Sequence, residues 1–111
     1  MAYRAKVKFV SVGGAKFELH TIGYVAQKVG RSTLTLRRWE RLSIIPSPVF
    51  KSKTGRRLYT NEEIDLLGRL IEELGLRRGL NILETRFHEL VTTGFNRIRK
   101  TFETLAAGEA K

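Results

Sequence analysis

The stretch TIGYVAQKVGRSTLTLRRWER, residues 21–41, decides the fold. Apolar residues recur at helical spacing in its first part, and Thr21 and Gly30 can begin and end the helix that this spacing predicts. A second helix is predicted directly afterwards, because Ser32 is a good N-cap residue. Two short helices joined by so tight a turn, the second rich in arginine, are typical of a helix-turn-helix.

The second helix, predicted over about residues 32–43, has two unlike faces. On a helical wheel, Leu36, Trp39 and Ser43 share one face, which we expect to point into the core. The opposite face groups three arginines around an apolar side chain and consists of Thr33, Leu34, Arg37, Arg38 and Arg41. In a DNA major groove, arginine can donate two hydrogen bonds to guanine, and an apolar side chain can pack on a thymine methyl group. We therefore interpret this helix as a recognition helix.

A basic hairpin is predicted behind this helix. Residues 44–50, IIPSPVF, contain both prolines of the chain, which favour an extended backbone over helix. Residues 49–59, VFKSKTGRRLY, then predict two short strands around a turn, forming a wing over about residues 50–58. The wing could reach a flanking minor groove or phosphates through Lys51, Lys53, Arg56 and Arg57. A solvated lysine-rich hairpin is the alternative interpretation.

The positive charge of the chain is concentrated in one segment. The 111 residues have a net charge of +10 and a pI of about 10.5, which favours a nucleic-acid partner. Residues 31–59 contain eight basic residues, beginning with Arg31, against one acid, Glu40, so their net charge is +7. Residues 60–76 reverse the balance, with five acidic residues against Arg69. We therefore expect residues 31–59 to form the contact surface.

Other classes of function find little support. The absence of cysteine excludes disulfides and thiolate metal sites. The length suits one small domain, and no apolar run approaches the roughly 18 residues of a membrane span, so no membrane partner is expected. His20 and His88 stand alone, and we interpret them as surface or capping residues rather than catalysts. We expect no enzymatic activity, no cofactor and no metal site.

The segments on either side complete the predicted fold. Alternating side chains around Gly13 and Gly14 predict an N-terminal β-hairpin within residues 1–19. The winged helix-turn-helix is expected over residues 20–80, and a C-terminal helical segment over residues 81–111. The predicted fold class is therefore mainly α with a small β-wing.

Apolar residues in the C-terminal segment recur at steps of three and four. This seam consists of Phe87, Val91, Phe95, Ile98, Phe102 and Leu105. It could pack on the winged domain, or against the same helix of a second copy as a dimerisation surface, and both interpretations stay open here. Gly94 and the threonine pair before it predict a weakened or broken helix.

The order of these motifs resembles the DNA-binding domain of the MerR family and its excisionase-like relatives over roughly residues 17–80. The first helix opens T-I-G-x-V-A, and the second contains S-x-x-T-L-R-x-W-E. The wing ends R-x-Y, and the next helix opens T-x-E-E. The matching residues are Thr21, Ile22, Gly23, Val25, Ala26, Ser32, Thr35, Leu36, Arg37, Trp39, Glu40, Arg57, Tyr59, Thr60, Glu62 and Glu63. One departure is Tyr24, where the family has glutamate.

The resemblance implies a winged helix-turn-helix that binds double-stranded DNA, usually as a dimer. It assigns DNA-facing positions to Ser32, Thr33, Arg37 and Arg38, and it implies that Arg57 and Tyr59 hold the wing against the DNA backbone. Effector sensing is not expected, because the chain has no cysteine and little length outside the DNA-binding region. Together, the predicted DNA contacts are Arg31, Ser32, Thr33, Leu34, Arg37, Arg38, Arg41, Lys51, Lys53, Arg56, Arg57 and Tyr59.

We therefore expect a sequence-specific double-stranded DNA-binding protein, with a small transcription regulator as the main hypothesis. The alternatives are a DNA-recognition subunit of a viral machine, either an excisionase or a terminase small subunit, and an architectural DNA-binding protein. The expected partners are double-stranded DNA and, at least on DNA, a second copy of the chain. Candidate protein partners are RNA polymerase, a recombinase and a packaging ATPase. The expected location is the cytoplasm, at the nucleoid or in a virus-infected cell.

Overall fold

The computed structural model describes residues 8–76, residue 82 and residues 85–109. Within them, four strands and four helices follow one another along the chain. These are β1 (Lys8–Val12), β2 (Ala15–His20), α1 (Ile22–Val29), α2 (Thr33–Arg41), β3 (Phe50–Lys51), β4 (Arg57–Thr60), α3 (Asn61–Glu73) and α4 (Phe87–Glu109). The parts of the predicted hairpin, winged domain and C-terminal segment that fall on residues 1–7, 77–81, 83–84 and 110–111 lie outside the described residues.

The N-terminal hairpin joins the wing in a single antiparallel sheet. The strand order is β1-β2-β4-β3, and Leu19 lies opposite Thr60 where the hairpin meets the wing. Gly13 and Gly14 connect β1 to β2 with φ angles of 60° and 81°, which glycine adopts without strain in a two-residue hairpin turn. The predicted winged helix-turn-helix with a preceding hairpin is therefore confirmed, and its sheet is wider than the wing alone.

The turn of the helix-turn-helix is short because local signals act at each helix end. α1 stops at Gly30, which has a φ of 70° and donates its backbone N–H to the carbonyl of Ala26. The Ser32 side chain accepts a hydrogen bond from the backbone N–H of Thr35 at 3.1 Å, and so caps α2. Thr21 precedes α1, but its side chain makes no capping bond.

The second helix is shorter than predicted. It ends at Arg41, and Leu42 closes its last turn with a backbone N–H. Ser43 follows with a φ of 58° and is exposed, so its predicted place on the core face is wrong. The physical reason is that the chain turns at Ser43, and the next two residues, Ile44 and Ile45, take the buried positions instead.

α3 begins with a capping box, in which Thr60 and Glu63 exchange hydrogen bonds. The Thr60 hydroxyl accepts from the backbone N–H of Glu63 at 3.2 Å, and the Glu63 carboxylate accepts from the backbone N–H of Thr60 at 2.9 Å. The helix then buries one apolar face, formed by Ile64, Leu67, Leu70 and Ile71. This cap fixes the point at which the wing becomes helix.

α4 is a continuous helix, so the alternative of a break near Gly94 is wrong. Gly94 lies where α4 crosses α3, and a Cβ built on it would lie 2.2 Å from Leu66 Cδ2. Glycine lowers helix propensity by about 1 kcal/mol, but here it allows the two helices to approach closely. Tertiary packing therefore overrides the local signal.

The C-terminal seam packs inside the monomer. Phe87, Val91, Phe95 and Phe102 are buried, and Ile98 and Leu105 are half-buried. The Phe87 ring lies 5.3 Å from that of Trp39, and the Phe95 ring lies 6.4 Å from that of Tyr59. Of the two interpretations of the seam, the structure shows the first, in which the seam packs on the winged domain. The four buried side chains are not available to a second copy in this fold.

Candidate nucleic-acid interface

The exposed face of α2 carries the side chains that were predicted to meet DNA. Leu36 and Trp39 are buried and anchor the helix on the core. The opposite side, which we call the α2 face, consists of Leu34, Arg37, Arg38 and Arg41, all exposed. Ser32 is exposed and Thr33 half-buried at the N-terminal end of the same helix. The structure thus brings the predicted recognition residues together on one helix surface.

Leu34 is the most exposed large apolar side chain among the described residues, at 78% of its maximum. Leu42, just after the helix, is 53% exposed and was not singled out from the sequence. The sequence feature that could have identified Leu42 is its position eight residues, or about two helical turns, after Leu34. In the free protein, these exposed leucines bury little apolar surface. A DNA groove that presents thymine methyl groups would cover them.

The wing is a short hairpin whose tip is closed by hydrogen bonds. Ser52 N–H donates to the carbonyl of Arg56 at 2.8 Å, and Gly55 N–H donates to the carbonyl of Ser52 at 3.0 Å. Gly55 has a φ of 85°, and the Ser52 hydroxyl accepts from the backbone N–H of Arg56 at 3.1 Å. We call residues 51–56 the wing tip. Its basic side chains, Lys51, Lys53 and Arg56, are exposed.

The positive charge on these two elements is not neutralised by the described part of the chain. Within residues 8–76, 82 and 85–109, no carboxylate lies within 4.0 Å of the basic groups of the α2 face or the wing tip. The one acid of α2, Glu40, is half-buried and points to β4 instead. Such uncompensated positive charge favours association with an anionic partner.

Tyr59 is fully buried, so its predicted contact with DNA is wrong. Its hydroxyl donates a hydrogen bond to the Glu40 carboxylate. Burial raises the pKa of Tyr59 well above its usual value, and the neighbouring Glu40 raises it further. The phenol therefore stays protonated and serves as a donor inside the fold. Tyr59, at the tyrosine of the R-x-Y motif, therefore links β4 to α2.

Arg57 and Arg31 are partly used by the fold itself. The Arg57 guanidinium lies 4.0 Å from the Glu40 carboxylate and donates to the carbonyl of Ile45 at 3.4 Å. The Arg31 guanidinium donates to the carbonyls of Gly30 and Leu76. Both arginines are half-buried. They are weaker candidates for DNA contact than the exposed arginines, because each already has acceptors.

Glu63, one of the five acidic residues in the segment 60–76, is fully buried. It accepts from the hydroxyl of Thr60 at 3.1 Å and, through its second oxygen, from the backbone N–H of Val49 at 3.1 Å. It therefore joins the chain entering the wing to the chain leaving it. Burial raises the pKa of Glu63, and the hydrogen bonds from Thr60 and Val49 oppose that rise. The Thr-x-x-Glu spacing before an apolar run was the available signal.

The two histidines have structural partners. Of the two roles expected for His20, surface or capping, the surface role is wrong because the side chain is buried. Its Nε2 lies 2.8 Å from the side-chain oxygen of Asn61. Its ring stacks on Tyr24 with centroids 4.0 Å apart. His88 Nδ1 lies 3.1 Å from the carbonyl of Ile44. Among the described residues, no group of three potential metal ligands occurs, and no helix is long and apolar enough to cross a membrane.

Comparison with known proteins agrees with this geometry. A family model described as MerR HTH family regulatory protein matches residues 20–84, which is more than half of the chain. These residues contain both helices of the helix-turn-helix, the wing and α3. Neither the curated proteins nor the solved structures gave a significant match. The family is one of DNA-binding transcription regulators, and the chain belongs to this MerR family of helix-turn-helix regulatory proteins.

Proposed function

We propose that this protein is a sequence-specific transcription regulator that inserts α2 into the major groove of double-stranded DNA. The observation that carries the proposal is the α2 face, where Leu34, 78% exposed, stands among three exposed arginines. None of these arginines has an acidic partner among the described residues. Arginine and leucine together match a groove that offers guanine acceptors and thymine methyl groups.

The wing tip supplies the second set of contacts in this proposal. Lys51, Lys53 and Arg56 would meet phosphates or a minor groove beside the recognition site. Such contacts fix the orientation of the protein on the duplex without selecting a base sequence. The proposal thus divides the basic residues into a base-contacting group on α2 and a backbone-contacting group on the wing.

A second copy is proposed to join on DNA. One recognition helix covers only a few base pairs, which is too few to select a site in a genome. The seam of α4 is largely buried in the monomer, so we expect the free chain to be monomeric and two copies to bind adjacent half-sites. Light scattering of the free protein and of its DNA complex would measure both stoichiometries.

A DNA-recognition subunit that works with a recombinase or a packaging ATPase would use the same α2 face and wing tip. RNA polymerase is the corresponding partner of a regulator. We favour the regulator because the family model that matches describes regulatory proteins.

The test is selection of binding sites from random double-stranded DNA, followed by fluorescence anisotropy on selected and random duplexes. We expect the affinity for the selected site to exceed that for random DNA by a factor of at least about 10³. If four to six phosphates are contacted, log affinity should fall against log salt with a slope of about −4 to −5.

Arg69→Ala is the matched control, because Arg69 is exposed on α3 and faces Glu73 instead of DNA. It should bind the selected site like the unmodified protein. No enrichment after selection, together with a salt slope near zero, would contradict the proposal.

A further inference from the structure

α4 contacts both ends of the chain that connects α2 to the wing. All of this helix, Phe87–Glu109, lies beyond the matched residues 20–84. His88 Nδ1 lies 3.1 Å from the carbonyl of Ile44, and Arg99 donates to the carbonyl of Ser47 at 3.0 Å. Residues 42–49 between α2 and β3 contain no helix or strand. Backbone N–H groups of residues 42–45 bond back to α2, and side-chain contacts, two of which come from α4, add to these bonds.

The wing strands also rest on α4. The Phe102 ring packs edge-on against Phe50 of β3, with centroids 5.2 Å apart, and against Phe17 of β2, with centroids 4.8 Å apart. On β4, the Tyr59 ring lies 6.4 Å from Phe95 of α4. Each edge-on aromatic contact adds orientation as well as buried apolar area.

The wing by itself has little to fix its position. β3 is only two residues long, and it pairs with β4 through two residue pairs. A two-stranded hairpin of this size is at best marginally stable in water without further packing. Within the described residues, β4 also pairs with β2 of the N-terminal hairpin, and Glu63 at Val49 and Tyr59 at Glu40 hold the base of the wing. On the β3 side, aromatic packing comes from α4. Loss of the α4 contacts would remove the packing on β3 and the hydrogen bonds to residues 44 and 47, so the wing would be held less firmly relative to α2.

We propose that α4 sets the position of the wing relative to the recognition helix, with Arg99 and Phe102 as positioning residues. Neither acts by touching DNA in this inference. Arg99 is half-buried and tied to Ser47, and Phe102 is buried and uncharged. The inference rests on the proposed function only where DNA binding is concerned, since the position of the wing can be measured in the free protein.

The chain has no cysteine, so two spin labels can be placed without background. We would label Thr54→Cys at the wing tip and Leu42→Cys at the end of α2, both exposed positions. Pulsed electron resonance then gives the distribution of the distance between them. We expect a narrow distribution in the parent, and a broader or shifted one in Arg99→Ala and in Phe102→Leu. Arg97→Ala and Phe9→Leu are the matched controls, because both side chains are exposed.

DNA binding gives the second readout, on the same variants without labels. Arg99→Ala and Phe102→Leu should weaken selected and random DNA alike by about threefold to tenfold, and reduce the salt slope by about one, as expected for lost phosphate contacts. Arg99→Lys can still donate to Ser47 and should restore both readouts. Because Phe102→Leu carries no charge change, agreement of the two variants separates positioning from a direct contact of Arg99 with phosphate.

The outcomes are distinguishable. Thermal unfolding of each variant shows whether it is folded. If Phe102→Leu does not fold, the result for Arg99→Ala alone tests the role of α4. Distance distributions in the folded variants that match the parent would overturn the inference. A broadened distribution with unchanged DNA affinity would support the role of α4 and count against the wing contacts of the proposed function. Failure of the parent to bind DNA would contradict the proposed function. The distance distributions would then test the role of α4 by themselves.

Discussion

The hydroxyl of Tyr59 in β4 donates a hydrogen bond to the carboxylate of Glu40 in α2. This bond joins the last strand of the wing to α2, and the Arg57 guanidinium lies 4.0 Å from the same Glu40 carboxylate. The orientation of the α2 face is therefore coupled to the position of the wing. A regulator that inserts a helix and a wing into one duplex needs this relationship to be fixed before binding.

Tyr59→Phe should test the structural role of this bond. The substitution keeps the ring packed against Phe95 but removes the donor. We expect the free energy of unfolding to fall by about 1–3 kcal/mol, because a hydrogen bond to a charged acceptor is lost. Urea denaturation measures this change. Tyr24→Phe is the control, since the Tyr24 hydroxyl makes no hydrogen bond among the described residues, and it should change stability by less than about 0.5 kcal/mol. Unchanged stability in Tyr59→Phe would show that the bond contributes nothing.

Gly94→Ala should destabilise the protein although alanine is the better helix former. The added methyl group would approach Leu66 Cδ2 to 2.2 Å, so Leu66 or the helices must shift. Overpacking costs about 1–3 kcal/mol, which we expect to exceed the gain of about 1 kcal/mol in helix propensity. Thermal or urea unfolding measures the balance.

Gly108→Ala is the matched control in the same helix, because nothing lies within 4 Å of a Cβ at that position. It should leave stability unchanged or raise it by up to about 1 kcal/mol. The destabilisation by Gly94→Ala should shrink in a Leu66→Ala background, where the colliding atoms are absent. If Gly94→Ala were more stable than the parent, the close approach of α3 and α4 would be contradicted.

Glu63 should make stability depend on pH in a defined direction. Its pKa in the folded protein is raised above the ordinary value of 4.5 by burial. The folded state therefore binds this proton more tightly than the unfolded state does. The resulting stabilisation is fully present below pH 4.5 and is lost as the pH rises through the folded pKa.

Glu63→Gln removes this titration and is the variant to compare. At neutral pH it should cost about 1–3 kcal/mol, because the amide presents a donor where Val49 N–H needs an acceptor. The difference in unfolding free energy between parent and variant should be largest at low pH and decrease as the pH rises above 4.5. Glu62→Gln, exposed on the same helix, is the control. A difference that grows with pH would contradict the raised pKa.

Local signals in the sequence were enough to predict the helix-turn-helix. Ser32 and Gly30 act on neighbouring backbone groups, and the arginines of α2 fall on one face by helical periodicity alone. The exposed face of α2 follows once Leu36 and Trp39 are buried. These features depend on residues within about two helical turns, so periodicity and capping rules suffice for them.

Features that depend on distant residues were not predictable in this way. Tyr59 was assigned to DNA through the resemblance, but a contact with Glu40, 19 residues earlier, buries it. The local signal of Gly94 indicated a weak helix, and only the approach of Leu66 shows why glycine is there. The seam of α4 could serve a monomer or a dimer equally well by periodicity, and only contacts with distant residues such as Trp39 and Tyr59 show that it packs inside the monomer.

The most direct test of the central claim is the ratio of affinities for selected and random DNA in Arg38→Ala and Arg56→Ala. Arg38 lies on the α2 face and Arg56 in the wing tip, and both are exposed. We expect Arg38→Ala to cost the selected site about 1–3 kcal/mol and random DNA much less, so that the ratio falls. Arg56→Ala should weaken both DNAs by similar factors and leave the ratio unchanged. Equal losses on both DNAs for Arg38→Ala would contradict the claim that α2 contacts bases.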